Sequence, residues 1–132
     1  METDRNKLSE RFFNLRKKLN LTQQEISELF GVGLRTWQSW EHAETTPFSK
    51  YLKLLTQYEK TPPKLLRFSD MCRIVRIRLG KKKYQMAAIF DVAPNTWGYW
   101  EKGKMKPSNE FIEKIKQMYQ EIMEQENLPK VS

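Results

Sequence analysis

Apolar residues recur at helical spacing along this chain. Phe12, Leu15 and Leu19 form one stripe, and Ile26, Leu29 and Phe30 form the next. Phe48, Tyr51, Leu52, Leu55 and Tyr58 form a third. The polar residues between them mark the ends. Ser9-Glu10 predicts a helix start, with a capping hydroxyl and an acid near the positive dipole end, so Met1 to Leu8 is expected to fray. Thr22 and Glu25 have capping-box spacing, Asn20 breaks the helix before them, and Gly31 suits a left-handed turn. Leu34 to Glu41 is the next predicted helix, with Trp37 and Trp40 three apart on its inward side. Pro47 is placed as a first helical residue, and Thr61-Pro62-Pro63 ends that helix. Lys64 to Phe68 reads as a packed linker through Leu65, Leu66 and Phe68.

The plan then repeats without a gap at an offset of sixty residues. Ser9/Ser69, Arg16/Arg76, Leu19/Leu79, Phe30/Phe90, Trp37/Trp97, Trp40/Trp100, Glu41/Glu101 and Pro47/Pro107 are identical pairs. The kept positions are mostly apolar and the changed ones mostly polar, as expected of two copies of one fold with different surfaces. The second copy predicts helices from Ser69-Asp70 through Met71, Val75 and Leu79, over Lys82–Phe90, and over Pro94–Glu101. A last helix starts near Ser108 and runs to about Glu126, carrying Phe111, Ile112, Ile115, Met118, Tyr119, Ile122 and Met123. It outruns its counterpart, having Ile122 where the first copy has Pro62, which raises the expectation of a homodimer through this C-terminal helix. The expected architecture is all-α, in modules 1–66 and 67–132 of about four to five helices each. Each module is near the lower size limit for an independent core.

Charge narrows the function. The net charge is +8, with 11 basic and 8 acidic side chains in residues 1–66 and 13 and 8 in residues 67–132. A basic chain favours an acidic partner, nucleic acid before an anionic membrane. The single cysteine, Cys72, rules out an internal disulfide and fits a reducing compartment. There is no apolar run near twenty residues and no signal peptide, so a cytoplasmic protein without membrane partners is expected. One histidine, His42, and one cysteine do not compose a metal site or a nucleophilic pair, and no glycine-rich phosphate loop is present. Neither catalysis nor a cofactor is expected. The four tryptophans fall on inward faces and read as core rather than as platforms for bases.

A tight turn between two short helices is the helix-turn-helix arrangement. The run Thr22-Gln-x-Glu-Ile-x-x-Leu-Phe-Gly-Val, then Thr-Trp-x-x-Trp-Glu, then a proline six residues after the glutamate, resembles the phage-repressor/Cro-like (Xre) family. Val92-Ala-Pro-Asn-Thr-Trp-Gly-Tyr-Trp-Glu-Lys-Gly with Pro107 is closer still to that pattern. The resemblance implies tandem lambda-repressor-like modules, with helices 34–41 and 94–101 entering the major groove of double-stranded DNA. It implies base readout by Leu34, Arg35, Gln38 and Ser39 in the first copy, and by Pro94, Asn95, Gly98 and Tyr99 in the second. Arg35 can take a guanine, Gln38 or Asn95 an adenine, and Leu34 a thymine methyl. Gly98 allows a close approach. Thr22, Gln23, Lys82 and Lys83 fall at the phosphate-facing end of the preceding helix, and Lys102, Lys104 and Lys106 can reach flanking phosphates. Arg16 with Glu41, and Arg76 with Glu101, match a family ion pair.

The first copy has His42, Ala43 and Glu44 in the loop where the second has lysines. Glu44 would repel phosphate, and Ala43 occupies a position where the family usually has glycine. The expected function is a sequence-specific transcriptional regulator, a repressor reading two unlike half-sites about one helical turn, or a multiple, apart. The alternative is an antitoxin, or a phage or plasmid accessory protein, in which one module holds a protein partner.

Overall fold

A computed structural model describes residues 4–125. Every regular element among them is helical. The chain divides into two compact units between Leu65 and Leu66. The first contains α1 (Asp4–Lys18), α2 (Gln23–Phe30), α3 (Leu34–Glu41) and α4 (Ser49–Lys60), followed by a single 3-10 turn over Pro63–Leu65. The second contains α5 (Phe68–Leu79), α6 (Lys83–Ile89), α7 (Pro94–Lys102) and α8 (Asn109–Glu124).

The first unit closes around aromatic rings. Phe12 meets Trp37 edge-on at 5.2 Å between centroids, Phe30 meets Trp37 at 5.0 Å, and Trp40 meets Tyr51 at 5.1 Å. Edge-on pairs set the positive rim of one ring against the negative face of the next. The second unit keeps Phe90 stacked on Trp97 at 5.4 Å and Phe111 beside Trp100 at 5.6 Å. It places Cys72 where the first has Phe12. Trp37, Trp97 and Cys72 are fully buried. Burial pushes the Cys72 thiol well above its ordinary value, which leaves it a packing group with no thiolate at neutral pH.

The turns are matched as closely as the cores. Among the described residues six adopt positive φ, as three pairs sixty apart: Asn20 and Gly80, Gly31 and Asp91, Ala43 and Gly103. The turn geometry is kept in both units although glycine, the residue that adopts it without strain, supplies only one member of each pair.

Several helix boundaries differ from those read in the sequence. Ser9 lies inside α1, where its hydroxyl donates to the Asn6 carbonyl at 2.7 Å, so Asp4 to Leu8 is helical rather than frayed. Met1 to Thr3 and the stretch from Glu126 onward lie outside the described residues. α4 begins at Ser49, two residues after the buried Pro47, and Phe48 is its 78% exposed N-cap rather than part of its apolar face. α5 begins at Phe68, one residue before Ser69. Asp70 turns inward there, bonded by Arg67 at 3.2 Å and by Arg73. Lys82 and Phe90 cap α6 rather than belonging to it. Leu65 is exposed, so only Leu66 and the half-buried Phe68 make the linker a packed one.

Leu79 is also exposed, whereas its counterpart Leu19 is fully buried. The first copy buries Leu21 beside that helix end, and the second has an exposed lysine, Lys81, at the matching position.

The surplus length of α8 is used within its own unit. α8 packs along α5, and Ile112, Ile115, Tyr119 and Ile122 are buried. Arg78 on α5 donates to the Gln125 side chain at 2.7 Å. Ile122, one of the residues on which a homodimer was expected, is therefore covered within the unit, and Met123 is half-buried.

Candidate nucleic-acid interface

Each third helix is held by a carboxylate at its end. In the first unit Arg16 Nε donates to Glu41 Oε2 at 2.7 Å and Arg16 Nη2 to Oε1 at 3.1 Å, a two-pronged pair joining α1 to α3. Trp37 Nε1, one turn back, donates to the same carboxylate, and Gln23 Nε2 from α2 adds a bond of 3.2 Å. Burial acts to raise the Glu41 carboxyl. The bonds from Arg16, Trp37 and Gln23 outweigh it and hold the group below the usual carboxylate range. In the second unit Arg76 Nε donates to Glu101 Oε2 at 2.5 Å and Nη2 to Oε1 at 3.2 Å, and Trp97 Nε1 donates to Oε2 at 2.5 Å. The Arg16 side chain is 4% exposed and that of Arg76 is 20% exposed.

The indoles face inward on both third helices, which leaves the opposite sides outward. On α3, Arg35 is exposed, and Leu34, Gln38 and Ser39 are half-buried. Gln38 Nε2 donates to Gln23 Oε1 at 3.1 Å. Ser39 Oγ donates to the Thr36 carbonyl at 2.7 Å and lies 2.7 Å from Thr45 Oγ1. Of these four, only Arg35 and Leu34 make no side-chain hydrogen bond among the described residues.

The second helix of the first unit starts with a full capping box. Thr22 N–H donates to Glu25 Oε1 at 2.9 Å and Glu25 N–H to Thr22 Oγ1 at 3.1 Å. Gln23 is 6% exposed and bonded on both sides. Its amide is bonded to α3 at both ends.

The outward face of the second unit is differently finished. Asn95, Tyr99 and Lys102 on α7 are exposed, as are Lys82 and Lys83 at the start of α6. None of these side chains makes an ion pair or donates a hydrogen bond among the described residues. Lys82 N–H donates to Gln85 Oε1 at 2.8 Å, but an ammonium cannot accept the return bond, so half of the capping box is missing. Lys83, Asn95, Gly98, Tyr99 and Lys102 line one open concavity. Tyr84 joins them and was missed in the sequence. Its mark there is a large aromatic in the exposed first turn of a short helix.

Lys102, Lys104 and Lys106 also line a second groove of the same unit, with Arg67 and Lys116, against one acid, Glu113. Arg67 and Lys116 were not legible as partners of that loop, because they lie on α5's cap and on α8. Among the described residues no cluster of three or more His, Cys, Asp or Glu could hold a metal ion, and no helix is long and apolar enough to cross a membrane.

The family model described as the antitoxin component of a bacterial toxin-antitoxin system, MqsA, matches residues 2–68. The chain is similar to Antitoxin MqsA of Escherichia coli (strain K12), with 42% identity over 48 residues. That alignment takes in 36% of this chain and spans 37% of the relative's length. No solved structure matches. The matched stretch contains the whole α1–α4 arrangement with its Arg16–Glu41 pair, and on that match this chain belongs to the MqsA antitoxin family.

Proposed function

We propose that this chain is an antitoxin that doubles as a sequence-specific DNA-binding repressor, of the helix-turn-helix kind that its Xre-like segments resemble. It acts by binding and not by catalysis, needs no cofactor, and works in the cytoplasm. The observation that carries the DNA reading is the outward face of α7. Asn95, Tyr99 and Lys102, with Lys83 at the start of α6 beside them, stand exposed with no ion pair and no donated side-chain hydrogen bond among the described residues, on a chain of net charge +8. Amide and phenol groups suit base edges, and ammonium groups suit phosphates. Arg35 offers the corresponding exposed guanidinium on α3. Because α3 and α7 present different residues, one chain reads two unlike half-sites.

The antitoxin part rests on family membership and implies a toxin as protein partner. The first unit favours that second contact. Its outer loop carries the exposed Glu44 in place of lysine, and Gln23 and Gln38 are committed to each other.

The deciding experiment selects bound duplexes from a random pool with the full chain, then measures affinity for the winner. Changing Lys102, Lys104 and Lys106 together to Glu is expected to abolish binding to any duplex. Arg35→Ala is expected to relax sequence preference at one position. Undiminished binding by the triple variant defeats the DNA reading. If Arg35→Ala leaves preference unchanged but weakens capture of a co-expressed toxin, the first unit is a protein-binding module.

A further inference from the structure

The groove that Lys102, Lys104 and Lys106 share with Arg67 and Lys116 has an apolar floor beneath its charge. It lies within the second unit, between the start of α5, the loop after α7 and the first two turns of α8. Leu66, Met71, Trp100 and Ile112 line it and are buried. Met105, 46% exposed, adds a flexible apolar group. Trp100 is 2% exposed, and its indole N–H finds no acceptor among the described residues. Trp97, three residues back, gives the same group to Glu101. A buried donor without an acceptor is a cost that an incoming acceptor removes. Around the floor a single carboxylate, Glu113, stands against five cations. Arg67 is engaged by Asp70 at 3.2 Å, and the four lysines make no ion pair among the described residues.

The first unit is finished differently at the same place. α1 begins at Asp4, whereas α5 begins at Phe68, the counterpart of Leu8. The extra turn of α1 carries Arg5, which donates to the Glu44 carbonyl at 3.5 Å in the loop after α3. The second unit has neither that turn nor that acid, and Lys104 stands where the first has Glu44.

We infer that this groove docks an acidic peptide segment of a partner protein, with an apolar side chain on Trp100 and Met105 and carboxylates against the lysines. A duplex would meet the rim alone, because its charged backbone offers no apolar group to the floor. A peptide supplies carboxylates for the rim, an apolar side chain for the floor and a backbone carbonyl for the indole N–H. The groove holds about 860 Å³, toward the upper end of the range of ligand clefts, which is room for a short extended segment. The inference adds a protein contact on the second unit to the contacts proposed above and stands without them. Lys102, Lys104 and Lys106 are shared with the DNA reading. Lys116 and Met105 are not, and they carry the test.

The test titrates the full chain with a labelled synthetic peptide of alternating glutamate and leucine. Anisotropy reads binding, and the assigned indole N–H resonances read the floor. The peptide is expected to bind and to shift the Trp100 resonance. Exchanging its glutamates for glutamine, or its leucines for serine, is expected to weaken binding about tenfold. Lys116→Glu and Met105→Ser alter exposed side chains and so do not threaten folding. Each is expected to weaken the peptide about tenfold, and Met105→Ser, which changes no charge, is expected to leave duplex affinity at the parent value. The inference falls if the peptide fails to bind at about 1 mM, if its glutamine version binds equally well, or if both variants keep the parent affinity. It falls too if the selected duplex shifts the Trp100 resonance and the peptide does not, since the groove then belongs to DNA. The DNA reading is judged separately, by the triple lysine reversal on the duplex.

Discussion

In the first unit Glu41 collects hydrogen bonds from Arg16, Trp37 and Gln23, whereas its counterpart Glu101 receives them from Arg76 and Trp97. The difference traces to one position. Gln23 is an uncharged, two-sided group that can bridge Glu41 to Gln38. Lys83 at the matching place has only donors, and with Gly98 opposite it has no side chain to meet. One unit therefore covers its ion pair and closes the crevice between its second and third helices. The other leaves the arginine more open to solvent and the crevice empty. The lesson is that the Arg–Trp–Glu fastening belongs to the fold and is kept. What is laid over it belongs to the surface and differs.

The comparison would be sharpened most by removing the arginines. Arg16→Ala leaves a buried carboxylate without its cation and is expected to cost about 3–5 kcal/mol. Arg76→Ala, where the pair is partly solvated, is expected to cost less, about 1.5–3 kcal/mol. Amide exchange resolved unit by unit, in denaturant, reads both. Equal losses would show that the glutamine cover contributes nothing.

Acid offers a gentler separation of the two units. Because the folded Glu41 carboxyl sits below its ordinary value near 4.5, its contribution is fully present above that pH and is lost as pH falls through the lower folded value. The protection of α1–α4 amides is expected to decline in that range, and Glu41→Gln is expected to flatten the decline at a cost in neutral stability. An unchanged acid profile in the Gln variant would assign the titration to another group.

The smallest expected effect concerns the turn after α3. Ala43 holds a φ of 59°, and Gly103 holds 71° at the matching turn. A side chain in that region costs about 1–2 kcal/mol, so Ala43→Gly is expected to raise the stability of the first unit by about 1 kcal/mol. A thermal melt of this variant beside the parent chain checks it. A lower midpoint would mean that the methyl group makes contacts worth more than the strain.

Much of this was written in the chain. Periodicity placed the helices, because burying one stripe per helix leaves a mark every three to four residues. The sixty-residue echo placed the second set on the first. Trp37 with Trp40, and Trp97 with Trp100, lie three apart and so share one helix face, and in each unit that face is the buried one. Helix ends were read less well. Ser9 caps nothing, and α1 runs back to Asp4, because a capping residue in sequence is only an opportunity that continued helix can override.

What tertiary structure alone decided is which polar side chains are free to act. Gln23 and Gln38 look available in the sequence, and in space they satisfy each other. Ile122 looked like surplus apolar surface, and it is covered within its own unit. Tyr84 gained meaning only from Lys83, Gly98 and Tyr99 around it. Helical patterning is a property of neighbours along the chain and can be counted there. The pairing of one polar group with another depends on distances across helices, and those exist only once the chain has folded.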